Sequence, residues 1–171
     1  MKFLAPLRFL ISPPAIAVIN LIILWPLVLA IIDVVVGMTI QRDFNEAVDT
    51  ESTIAIVLIG WGVALEERFV LREVFGMVGR PDERWQKGID GACYRAGVGV
   101  LILGLFAEIC AELMHLPNRI IDTAGSEHPL LAVGAVLMAV AALILVRLIV
   151  QLIGSLFVRR DNPRISPGES L

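Results

Sequence analysis

Histidine, cysteine and tyrosine are nearly missing from this chain, with two, two and one copies in 171 residues. The cysteines, Cys93 and Cys110, form no CxxC and imply no disulfide framework; each reads as a small apolar residue. Charge is scarce as well. At 18% charged residues the chain falls below the quarter or so usual in soluble domains, which argues against an ordinary soluble fold. The net charge of -3 gives no footprint for nucleic-acid binding. Neither GxSxG nor HExxH occurs. No phosphate loop is present, and Gly97-x-Gly99 lacks the rest of a dinucleotide fingerprint. Ser52, Thr53 and Ser155 have no histidine at matching depth, so nucleophilic catalysis lacks a base and an enzyme is not expected.

What is abundant is apolar sequence: 57% of residues are hydrophobic, and the mean hydropathy is +0.83. Four stretches are long enough to cross a bilayer, which takes about 20 residues at about 1.5 Å each. They cover about residues 15–39, 52–70, 96–117 and 130–158, joined by a cytoplasmic loop at 71–95 and followed by a polar tail at 159–171. The apolar run after MKFLAPLRFLISPP is too long for a signal-peptide core, so an uncleaved anchor is expected. Pro26 removes one backbone donor in mid-span and predicts a kink. Gly60 and Ala64, and Ala135 and Ala139, make small-xxx-small pairs that permit close packing. Trp85 and Tyr94 suit the headgroup level and predict a short surface-lying helix in the 71–95 loop. The expected fold is an all-α membrane protein, one domain forming a four-helix transmembrane bundle of up-down topology.

Basic residues set the orientation. Lys2 and Arg8 precede the first span, the cluster from Arg68 to Arg95 lies between the second and third, and Arg159, Arg160 and Arg164 follow the fourth. Only Arg42 and Arg119 fall on the opposite side. Both termini are expected in the cytoplasm, and the charge bias suits a bacterial inner membrane.

The third span organises the polar residues. Gly97, Leu101, Gly104, Glu108, Glu112 and His115 recur at helical spacing, with small residues at one end and ionisable ones at the other. With the termini inside, Asp33, Glu108, Glu112 and His115 form an outer-leaflet acidic cluster without a basic residue other than the histidine. Close carboxylates in a dry site require a proton, water or a cation. Glu112-x-x-His115 has the spacing of carboxylate-bridged metal centres, which use two such motifs where this chain has one. One divalent metal ion held by Glu108, Glu112 and His115, with Asp33 or His128 completing the set, is the metal reading that chemistry allows. A bis-histidine haem on His115 and His128 is disfavoured. A merely solvated role, with Glu112 and His115 in the outer headgroup region and Glu108 protonated or bonded to a neighbouring helix, is the plainer reading of the cluster. An inner layer pairs Arg147 with Glu66 or Glu67 as a structural ion pair.

Two function classes follow. In the first, this is a small inner-membrane protein handling protons or cations in transport, conduction or sensing, as a homo-oligomer in the lipid bilayer. In the second it is a non-catalytic accessory or scaffolding subunit of a larger membrane complex. Intramembrane carboxylates without neutralising partners favour the first.

Overall fold

The computed structural model describes residues 9–40, 44–78, 83–115 and 127–161, and among these it is all-helical, without strands. Five helices carry the architecture: α1 (Pro13–Ile40), α2 (Phe44–Glu66), α3 (Arg68–Val74), α4 (Glu83–His115) and α5 (Glu127–Asp161). All except the seven-residue α3 are long and apolar enough to cross a membrane, so the chain is an integral membrane protein.

Each long helix buries one stripe whose spacing alternates between three and four residues. On α2 it runs Val48, Glu51, Ala55, Leu58, Gly62, Leu65, and it continues through Arg68 and Arg72 of α3. On α4 it runs Asp90, Cys93, Gly97, Val100, Gly104, Ala107, Ala111. On α5 it runs Leu131, Ala135, Met138, Ala142, Leu145, Ile149, Leu152. A repeat of 3.5 residues keeps one seam facing its partners along the whole length, the packing mode of left-handed bundles. The α4 stripe falls on Gly97 and Gly104 as expected. It then turns away from Leu101 and Glu108, which are half-buried, and from Glu112 and His115, which are exposed.

The tightest seam joins α2 to α4. A Cβ on Gly97 would lie 2.6 Å from both the Glu66 nitrogen and the Gly62 oxygen, and one on Gly62 would lie 2.7 Å from the Leu101 nitrogen. Backbone touches backbone there, which only glycine allows. Contacts across the seam pair rising residue numbers on α2 with falling ones on α4: Ala55 with Gly104, Gly62 with Leu101, Glu66 with Gly97. α5 packs on α4 and α1, while α1 also reaches α2. Trp61 Nε1 donates to Asn20 Oδ1 at 2.7 Å across α1 and α2, and Trp85 Nε1 donates to the Ser155 carbonyl at 3.3 Å across α4 and α5.

Several boundaries move. α2 begins at Phe44, well before the expected 52, because its buried stripe continues into the polar segment. The 71–95 loop is shorter than expected: α3 runs on to Val74 and is stopped just beyond by Gly76, whose φ of 63° and paired bonds from the Gly76 and Met77 N–H groups to the Glu73 and Arg72 carbonyls form a Schellman motif. Residues 83–95 are then one continuous helix with the third span, not a separate surface helix, and Trp85 is packed on α5. Gly60 faces open space, so its pairing with Ala64 plays no part in packing within the chain. α1 continues unbroken through Pro26. Residues before 9, the end of the third span at 116–117 and the tail beyond Asp161 lie outside the described residues.

The seam predicts opposite outcomes for two glycines. Gly97→Ala, whose new methyl meets backbone that cannot step aside, should lower stability by about 1–3 kcal/mol. Gly60→Ala, with nothing within 4 Å, should be neutral or stabilising. Unfolding titrations in mixed micelles of mild and denaturing detergent compare the two, and equal effects would contradict the seam.

Candidate functional site

The α2 stripe places a carboxyl where the neighbouring positions hold Val48 and Ala55. Glu51 is 0% exposed, and neither of its oxygens meets a donor among the described residues. The carboxyl is pressed against Gly134 of α5, in the volume that any side chain at that position would need. Glu108 of α4 lies close enough to act on it electrostatically. Ser52 Oγ donates to Glu108 Oε1 at 3.1 Å, while Glu108 Oε2 is buried without a donor. Two carboxyls thus act on one another at a junction of α2, α4 and α5, where the Ser52 hydroxyl is the one donor that bonds either of them among the described residues. An ionised pair in such surroundings is strongly repelled, so the pair is stable only with a proton, a cation or water. Near this end of the bundle, His115 Nε2 sits 3.3 Å from Asp49 Oδ1, both residues exposed.

The expected outer cluster is therefore divided. Glu108 lies in the junction, and Glu51 takes the place beside it. His115 turns to Asp49, and Glu112 is exposed. Asp33 lies on the α1–α2 side, lining a shallow groove of about 540 Å³ with Pro26, Thr50 and Ile54. His128 is exposed in the first turn of α5. Among the described residues, no three His, Cys, Asp or Glu side chains group together as metal ligands would. Glu51 escaped the sequence reading because it stands among acidic residues that look like a loop. The signal that could have found it was the three-four spacing from Leu65 back through Gly62, Leu58 and Ala55.

At the other end of the α2–α4 seam the charges are matched. Arg68 and Arg72, 2% and 1% exposed, both bond the Asp90 carboxylate, which is itself 7% exposed. Arg72 also reaches Glu83 at 3.1 Å, and Arg68 donates to Gln86 at 2.9 Å and to the Ile11 carbonyl at 3.2 Å. Burial, aided by the Arg72 charge, pulls the Arg68 guanidinium down to about 10, so it stays charged at neutral pH and needs its partners. The expected inner ion pair used other residues. Arg147 is exposed, Glu66 is half-buried, Glu67 is exposed, and no ion pair joins them among the described residues. The reason is register: the buried stripe passes through Arg68 and Arg72 and leaves Glu67 outside.

Searches against protein-family models, curated proteins and solved structures found no match to this chain.

Removing the shared anion tests the charged node. Asp90→Asn should lower stability by about 3–5 kcal/mol, because two buried guanidiniums lose their common partner. Glu67→Gln, at an exposed position one residue from Arg68, should change it by less than about 0.5 kcal/mol. Detergent unfolding monitored by far-ultraviolet circular dichroism reads both, and a stable Asp90→Asn protein would show that the node does not hold the helices.

Proposed function

We propose that this chain is a small membrane protein that conducts or transports protons or small cations, with Glu51 and Glu108 as its working pair. The reading rests on one observation: Glu51 is fully buried in a membrane-spanning helix, with both oxygens unpartnered among the described residues and the Glu108 carboxyl near enough to act on it. A structural carboxyl would be expected to bond its neighbours, as Asp90 does. One that does not is kept available for a mobile charge.

The chemistry is simple exchange. A proton or cation seated between the two carboxyls relieves their repulsion, and its departure restores it, so occupancy is finely balanced. The Ser52 hydroxyl, which donates to Glu108, can also accept, and so passes a proton along a short chain of oxygens. Glu46 and Asp49, exposed on the first turns of α2, raise the local concentration of cations at the near end. In the orientation set by the basic residues, the bundle runs up and down with both termini in the cytoplasm of a bacterial cell. The pair then sits in the outer half of the inner membrane, about 10 Å below His115. Four helices enclose a narrow core, and a homo-oligomer supplies the rest of the path.

The test is flux into liposomes containing a pH-sensitive dye, under a potassium-valinomycin potential. Wild type should acidify the lumen. Glu51→Gln and Glu108→Gln should each slow this by about tenfold or more, since an amide cannot exchange a proton. Glu46→Gln should slow it less than twofold. Folded Gln variants that match wild type, or a wild type no faster than empty liposomes, would overturn the proposal in favour of an accessory subunit of a larger complex.

A further inference from the structure

A second polar recess lies between α4 and α5, of about 250 Å³, lined by Ala92, Arg95, Ala96, Ile144, Arg147, Leu148 and Gln151. Its two guanidiniums come from different helices, both are exposed, and neither makes an ion pair among the described residues. This is the reverse of Arg68 and Arg72, which are buried and matched. Like charges brought to one recess repel one another, and no carboxylate lines it to offset them. The recess is completed for an anion.

We propose that the recess binds the phosphate of an anionic phospholipid, with Arg95 and Arg147 as a two-sided clamp and Gln151 as a third donor. Depth argues for lipid as the source of the phosphate. From Arg95 to His115 α4 rises about 30 Å, and from Arg147 to His128 α5 spans about 28 Å, which is the thickness of a hydrocarbon core. With the histidines near one boundary, the arginines reach the headgroup layer of the other. Shape argues the same way. Ala92 and Ala96 leave the hollow, Ile144 and Leu148 give it an apolar wall, and Val140 and Leu143 extend an exposed apolar surface along α5 beside it. A headgroup fits the clamp while its acyl chains lie along that surface. An arginine fork suits phosphate through paired donors, and basic pockets between spans are the usual seats for such headgroups.

The experiment is native mass spectrometry of the full chain in mild detergent, with phosphatidylglycerol and phosphatidylcholine of identical acyl chains added together. Wild type should retain phosphatidylglycerol in preference. The R95Q/R147Q double variant should lose that preference by about 30-fold, the product of two basic contacts. An R84Q/K87Q variant, which removes exposed charge elsewhere on α4, should keep it. Proton flux through Glu51 does not enter this readout, so the two proposals stand or fall separately. Equal retention of both lipids by wild type would overturn the proposal. So would a folded double variant that keeps the preference, or inorganic phosphate at millimolar concentration displacing the lipid completely.

Discussion

The backbone contact between α2 and α4 is the constraint on which the rest of this molecule depends. Lipid offers no hydrophobic drive for helices to associate, so they hold together by close packing and by polar groups satisfied between them. Gly62, Gly97 and Gly104 supply the first, bringing Gly97 against the Glu66 nitrogen and the Gly62 oxygen. That approach fixes the register of the two helices. Once Glu66 faces Gly97, the stripe must put Arg68 and Arg72 against Asp90 at one end and Glu51 towards Glu108 at the other. Neither polar site can be shifted without breaking the glycine contact between them.

The two ends of the seam are chemical opposites. At the Arg68 end, each charge has a counter-charge and additional hydrogen bonds, the condition under which a buried ionic group is tolerated. At the Glu51 end, the Ser52 hydroxyl serves Glu108, and Glu51 meets no donor among the described residues. The close glycine contact between the ends fixes where the two helix backbones lie, so the helices cannot separate at the carboxyls without breaking that contact. Under the proposed function that is useful: the fixed register keeps the carboxyls near one another, and a moving proton or cation relieves their repulsion.

Much of the architecture was legible in the sequence because it rests on apolar length, which is read without tertiary context. The four spans followed from apolar length, and the Gly97 and Gly104 packing positions from the periodicity of the third span. The residues that were missed share one cause. Glu51, Arg68, Arg72 and Asp90 all sit where a helix continues beyond its apolar core, and a hydropathy window treats such ends as loop or, for Arg68, as the last turn of a span. Arg68 to Arg95 counted as a topology signal, although its first members are buried and its helices carry on the 3.5-residue stripe. Asp90 is surrounded in sequence by Gly88 and Gly91, and nothing local distinguishes a core aspartate from a solvated one. Arg68 and Arg72 on another helix decide that, and the register set by the glycine seam brings them to it. Glu112 and His115 end up exposed because a drift of about 20° per heptad carries a straight helical face away from a 3.5-residue seam, whereas Asp33 lies on a different helix, beside the α1–α2 groove.

Glu51 also shows why this site needs three helices. α2 supplies the carboxyl, α4 supplies its neighbour, and α5 supplies an empty volume at Gly134. A methyl group at 134 would occupy the place of the Glu51 oxygens and force either the carboxyl or α5 away. The glycine is therefore part of the site, although it carries no chemistry. It also explains how a charged residue type can occupy a core position in a stripe of alanines and leucines. The neighbouring helix gives up its side chain there, and the space goes to a group whose lone pairs are left open. Packing and chemistry at this junction are one problem: the contact that closes the bundle over Glu51 is the same contact that denies it a hydrogen-bonding partner.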